Sequence, residues 1–256
     1  MKTSEIIQIR RSCRTFNGLK IEKSAVESLS QAIQSLQPLF NDVEMPIIKI
    51  VDGDNLDGRL GTYGFINGAR RFFVMAAGRE PLQQVQAGFV FEQLILKATE
   101  MGIATCWLGG TFRSSMFAQG MPADLGHREI SIVSPLGHAT TKQRFAERMM
   151  RRVVKADRRK PFASLFTGLA SSSDSLKRVL ECVRLAPSSS NSQPWRARIS
   201  SDAAVEFSCA TNNRFSAIDM GIAYCHFLLA SAEENLAWRI DPASLSTPLA
   251  LRFLPA

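Results

Sequence analysis

The chain has 256 residues, 45% hydrophobic and 21% charged, with a formal net charge of +8. That length suffices for one large or two small buried cores, and the balance excludes disordered, collagen-like and disulfide-dense classes. Five cysteines without a CxxC pair and three histidines without ligand spacing argue against a zinc site and for reduced thiols in a cytoplasmic protein.

The opening MKTSEIIQIRRSCR lacks the apolar core of a secretory signal. Arg10, Arg11, Ser12 and Arg14 set three guanidiniums and a hydroxyl within five residues. Such forked donors suit a phosphate, with a solvated basic start as the alternative. Cys13 is expected to point inward between the arginines. Ser24 followed by Glu27 reads as a capping box, opening a helix over 24–37 whose apolar face is Val26, Leu29, Ile33 and Leu36. Pro38 stops it.

Residues 46–51 and 71–77 read as strands flanking a Gly-rich loop, 53–68. Residues 88–101 form a helix that is apolar nearly all round, hence central and buried. Glu92, Gln93, Lys97 and Glu100 exclude it as a membrane span. Residues 104–110 are an extended piece ending in a glycine turn. Residues 130–133 and 136–138 make a strand broken at Pro135.

The run 142–160 is strongly basic and reads as a solvated helix face or connector. Only Phe145 interrupts it, so a nucleic-acid surface is disfavoured. The small polar stretch 168–175 reads as a linker. A helix over 174–186, a strand over 205–209, a helix over 219–236 and a last strand over 250–254 follow. Between the first two lies APSSSNSQPWR, residues 186–196, a polar turn whose serines and asparagine could hold the edge of a flat heterocycle. A rigid turn with Trp195 in the core is the alternative.

Two stretches echo each other. GFVFEQLILKATEM from Gly88 and GIAYCHFLLASAEE from Gly221 align at their glycines, pairing Phe91 with Tyr224, Leu96 with Leu229 and Glu100 with Glu233. The helix 24–37 likewise echoes 174–186, each followed by a proline. Related elements in one order point to duplication; generic amphipathic likeness is the alternative. The copies differ where chemistry would sit. Pro38 is followed by LFND rather than SSSN, and no RRSCR precedes the second helix.

Together these strings resemble the flavin-dependent nitroreductase family. There an RRSxRxF start (here RRSCRTF) contacts the FMN phosphate, and a PSxxNxQPW loop (here Pro187, Ser188, Asn191, Gln193, Pro194, Trp195) lies along the flavin ring. A helix into a glycine turn (here EMGIATCWLGG) passes the reactive edge. A strand ending in LG with spaced Lys and Arg (here LGHATTKQR) returns to the phosphate. The resemblance implies an α+β, nitroreductase-like fold. Ordinary members carry RRSxR and PSxxN together, early in one chain. Their separation here resembles the subgroup in which two related α/β units are fused as a pseudo-dimer around central helices. The expected division is 1–167, a linker 168–175, and 176–256.

The resemblance further implies phosphate contacts from Arg10, Arg11, Ser12 and Arg14, with Lys142 and Arg144 as further candidates. Pro187, Ser188, Ser189 and Asn191 would meet the ring, and backbone amides near Leu108, Gly109 and Gly110 its N5. The protein supplies binding and orientation, so no protein nucleophile and no metal are expected. The implied activity is FMN-dependent transfer of reducing equivalents from NAD(P)H to nitroaromatics, quinones or similar small acceptors. The alternative is a flavin-binding protein with little turnover. The expected form is a monomer with one FMN per chain, without nucleic-acid or membrane partners. No GxGxxG is present to choose between NADH and NADPH.

Overall fold

A computed structural model describes residues 1–53, 64–140, 158–169 and 172–256. In chain order its helices and strands are α1 (Thr3–Ile9), α2 (Lys23–Gln34), β1 (Ile47–Asp52), β2 (Arg71–Ala77), α3 (Pro81–Glu100), α4 (Ser114–Phe117), β3 (Glu129–Leu136), α5 (Phe162–Leu165), β4 (Phe166–Thr167), α6 (Asp174–Arg184), β5 (Trp195–Ile199), β6 (Val205–Cys209), α7 (Ser216–Glu233), β7 (Trp238–Ile240) and β8 (Arg252–Pro255). The class is α+β. Two compact units interleave along the sequence, one of residues 1–8, 80–92 and 155–256, the other of 9–79 and 93–154. The stretch 168–175 falls inside the first. Within it Ser173 is the N-cap of α6, accepting from the Leu176 amide at 3.2 Å. Small polar residues serve linkers and helix caps alike.

The unit containing residues 9–79 holds a three-stranded antiparallel sheet, β1-β2-β3. β2 is buried along nearly its whole length, and Phe72, Val74 and Ala76 join Phe16, Cys106, Leu108, Phe117 and Val133 in one core. β3 is continuous through Pro135, which pairs with Phe72. The Val133 amide donates away from β2, to Leu108 O at 3.0 Å. Pro135, two residues on, faces the same way, so its missing N–H costs no bond to β2. α2 departs from expectation at both ends. Its N-cap is Glu22, without a side-chain cap bond, and it ends at Gln34. Ser24 lies inside the first turn, so the capping box does not form.

The other unit holds a five-stranded sheet, β4-β5-β6-β8-β7, in which only β4 and β5 run parallel. Trp195 at the start of β5 is fully buried. Phe207, Tyr224, Phe227 and Phe253 pack into one aromatic cluster, with centroids 5.3 Å apart for Phe207–Tyr224 and 5.0 Å for Phe227–Phe253. α3 begins at Pro81, well before the expected 88. Glutamines blur its apolar pattern, although Val85, Gln86 and Ala87 are buried. Proline in the first turn was the readable start signal.

α3 and α7 meet at the two glycines where their sequences align. A Cβ on Gly88 would lie 2.2 Å from Ile218 O, and one on Gly221 2.1 Å from Val85 O. The contact is reciprocal, as across a two-fold axis. Beyond the crossing His226 Nδ1 donates to Cys182 O at 2.9 Å, and His226 Nε2 lies 2.9 Å from Glu92 Oε1. Glu92 and His226 are both fully buried, so this pair ties α3, α6 and α7 together. No described helix is long and apolar enough to cross a membrane.

Candidate functional site

Three of the four strings singled out in the sequence are laced together by backbone hydrogen bonds in the unit containing residues 9–79. The Cys13 amide donates to Thr105 O at 2.8 Å, the Asn67 amide to Arg14 O at 3.0 Å, and the Phe16 amide to Asn67 O at 2.8 Å. The Asn17 amide donates to His138 O at 3.0 Å, and the Thr140 amide to Thr15 O at 3.3 Å. RRSCRTF is thus an extended segment flanked by ATCWLGG and LGHAT. Arg10 is buried at 5% exposure while Arg11 is exposed, its Nη1 turned onto Arg10 O at 2.9 Å. Ser12 and Arg14 are half-buried. Cys13 packs on the core with its thiol toward Thr15 O, the inward pose expected of it.

The glycine turn is corrected in one respect. Leu108 exchanges both backbone hydrogen bonds with Val133, so its amide is committed to the fold and cannot serve a ligand. Gly109 and Gly110 follow it, and Gly110 is exposed. Lys142 and Arg144 lie outside the described residues.

The fourth string lies in the other unit. After α6, residues 189–191 form a single tight turn. Three non-glycine residues there have left-handed backbone, Ser190 (φ 51°), Asn191 (φ 55°) and Gln193 (φ 47°). Such conformations cost about 1–2 kcal/mol each and persist only where surroundings impose them. Two sets of contacts do so. Arg159 Nη1 donates to Asn191 Oδ1 at 3.0 Å and Nη2 to Leu185 O at 3.3 Å, while Asn191 Nδ2 donates to Arg158 O at 2.9 Å. Lys160 Nζ donates to Ser192 O at 2.7 Å and to Gln193 O at 3.1 Å, where Arg196 Nη1 also donates at 3.1 Å. Burial, then the neighbouring Arg196 charge, lowers the Lys160 ammonium from its ordinary pKa.

Asp219, 2% exposed in the first turn of α7, also holds the turn. Its Oδ1 accepts from the Ser189 amide at 2.9 Å, and the Ser192 hydroxyl lies 3.4 Å from Oδ2. Burial outweighs both bonds and pushes its pKa up to about 7.

The end of the basic run therefore is not a solvated face: Arg159 and Lys160 are half-buried and grip the loop. Sequence reading missed Arg159, Lys160 and Asp219 as residues that hold this loop. Only the proline after Lys160, and a lone acid opening an otherwise apolar helix, signalled them. Ser188 Oγ accepts from the Gln193 amide at 2.9 Å, a bond that does not use its own O–H donor. Pro187 is buried and Ser190 exposed. Among the described residues no cluster of His, Cys, Asp or Glu could hold a metal.

The family model described as Putative TM nitroreductase matches residues 2–231. Among solved structures, a putative nitroreductase from Thermotoga maritima aligns over 99% of this chain and 93% of its own, with TM-score 0.65 and 21% identity. Two nitroreductases solved with bound FMN match only part of the chain. The one from Bacteroides fragilis covers 57% of this chain and 92% of its own, at 18% identity and TM-score 0.44. The one from Desulfitobacterium hafniense covers 56% and 92%, at 19% and 0.45. Among curated proteins none matches. The family match spans most of the chain and the Thermotoga structure shares its fold, so the chain belongs to the Putative TM nitroreductase family.

Proposed function

We propose that the chain is an FMN-dependent oxidoreductase that passes reducing equivalents from NAD(P)H to nitroaromatics, quinones or similar small acceptors. The observation carrying this reading is the lacing of RRSCRTF between ATCWLGG and LGHAT by backbone hydrogen bonds. Strings far apart in sequence meet in the combination that the nitroreductase resemblance demands.

The donor set suits the cofactor. Three guanidiniums and a hydroxyl on Arg10, Arg11, Ser12 and Arg14 match a phosphate dianion in charge and in forked geometry. Lys142 and Arg144 remain assigned to the same phosphate on sequence grounds. Pro187, Ser188, Ser189 and Asn191 are assigned to the flavin ring, with the Ser188 O–H as a donor to its polar edge. The amides of Gly109 and Gly110 are assigned to N5. FMN, once bound, supplies hydride acceptance and onward electron transfer. The chain's own residues bind, orient and neutralise charge, and basic groups near a reduced flavin favour its anionic form.

The reciprocal glycine crossing of α3 and α7 supports descent from a duplicated unit, with related halves divided at 168–175. One complete set of phosphate and ring residues exists per chain, so the reading is one FMN per monomer. The test is the purified protein's visible spectrum, followed by NADH and NADPH oxidation with and without a quinone or nitroaromatic acceptor. Flavin bands with rapid acceptor-dependent oxidation are expected. Flavin bands without turnover would favour a storage or sensing protein. Absence of flavin, even after reconstitution with FMN, would overturn the reading.

A further inference from the structure

The turn at residues 188–193 is gripped by groups of opposite kind. Arg159, Lys160 and Arg196 take its acceptors: Asn191 Oδ1, Leu185 O, Ser192 O and Gln193 O. Asp219 takes donors, the Ser189 amide at 2.9 Å and the Ser192 hydroxyl at 3.4 Å. These two donors flank Ser190 and Asn191, the pair forced into left-handed backbone. No ion pair to Asp219 exists among the described residues. A buried acid without a counter-ion is expensive to keep unless its hydrogen bonds matter. In the echoed stretch the position aligned with Asp219 is Gln86. The carboxyl therefore stands only in the copy that also carries SSSN.

We propose that Asp219 is the positioning residue of the flavin-ring loop. By holding the Ser189 amide and the Ser192 hydroxyl it fixes the turn in the conformation that presents Ser188 and Asn191 to the ring. This rests on the reading of Ser188 and Asn191 as ring contacts. The raised pKa of the buried carboxyl agrees with a group retained at a cost.

The experiment compares wild type with Asp219→Leu, Asp219→Asn and Ser188→Ala. FMN dissociation constants, the absorption spectrum of bound FMN and its reduction potential are measured at one pH. Thermal melts check folding. Leu replaces a buried carboxylate with an apolar group of similar size, a change that interiors tolerate. Asn keeps an acceptor for the Ser189 amide. D219L should weaken FMN about ten-fold or more and alter the spectrum and potential of what still binds. D219N should return affinity to within about three-fold of wild type, because its Oδ1 still accepts. A merely structural residue would move the melt but leave spectrum and potential alone. Folded D219L with wild-type affinity, spectrum and potential would overturn the proposal, while a changed S188A would leave the loop reading standing. S188A indistinguishable from wild type, or no FMN binding by wild type, would overturn the loop reading and the proposal together. Should D219L not fold, Ser192→Ala decides: a few-fold loss with a spectral shift supports the role, and no change contradicts it.

Discussion

Arginines three residues apart can be a basic surface or a phosphate grip, and sequence alone left both open for Arg10–Arg14. Burial excludes the solvated surface for Arg10, because a guanidinium at 5% exposure is not a solvated charge. Arg14→Ala should weaken FMN by roughly ten- to a hundred-fold, the worth of a charge-assisted hydrogen bond, and leave riboflavin nearly unaffected. Equal losses for both flavins in a titration would remove Arg14 from the phosphate. Asp219 was not legible, since its importance depends on a turn thirty residues earlier in the chain. Its folded pKa of about 7 lies above the ordinary 3.8. The folded state then binds the proton more tightly than the unfolded state. The ionised carboxyl's cost is absent below about pH 4, grows as pH rises, and is complete above about pH 7. Asp219→Asn removes that cost. It should raise stability by one to a few kcal/mol at pH 8 and by much less at pH 4, as denaturant melts at the two pH values will show. An equal effect at both would mean that the carboxyl is not held neutral by burial.

At the scale of elements, periodicity exposed the long central helices and β2, whose burial is nearly complete, because apolar repeats record a buried face directly. Helix ends were less legible. Ser24 looked like a cap and is not one, whereas Ser173 looked like a linker residue and caps α6. Pro135 looked like a strand break, but its missing amide faces away from β2. These outcomes are set by which side of a residue its neighbours occupy, and composition does not carry that. The glycine alignment did carry tertiary information. Gly88→Ala and Gly221→Ala would each drive a methyl into a backbone carbonyl, 2.2 Å and 2.1 Å away respectively. Neither carbonyl can yield without moving its helix. Each substitution should cost about 3 kcal/mol or lose the cooperative fold. Gly102→Ala is the contrast. Its φ is +72° but nothing lies within 4 Å of its Cβ, so the cost should be about 1 kcal/mol, from backbone strain alone. Similar losses at all three sites in thermal melts would contradict the close crossing.

For the whole molecule, the sequence reading assigned the special residues to different halves of the chain. The structure adds that three of the four strings assemble through main-chain hydrogen bonds, and that the fourth is a clamped, strained turn. The weight of the account rests on a single set of FMN contacts per chain: Arg10, Arg11, Ser12 and Arg14 for the phosphate, and Ser188 with Asn191 for the ring. The eroded LFND after Pro38, and the lack of an RRSCR motif before α6, argue against a second set. The most direct measurement is saturating reconstitution with FMN, removal of free flavin, and quantitation of released FMN against protein, with mass determined in solution. The account predicts one FMN per chain on a monomer. Two flavins per chain, or one that is bound only when two chains associate, would contradict it.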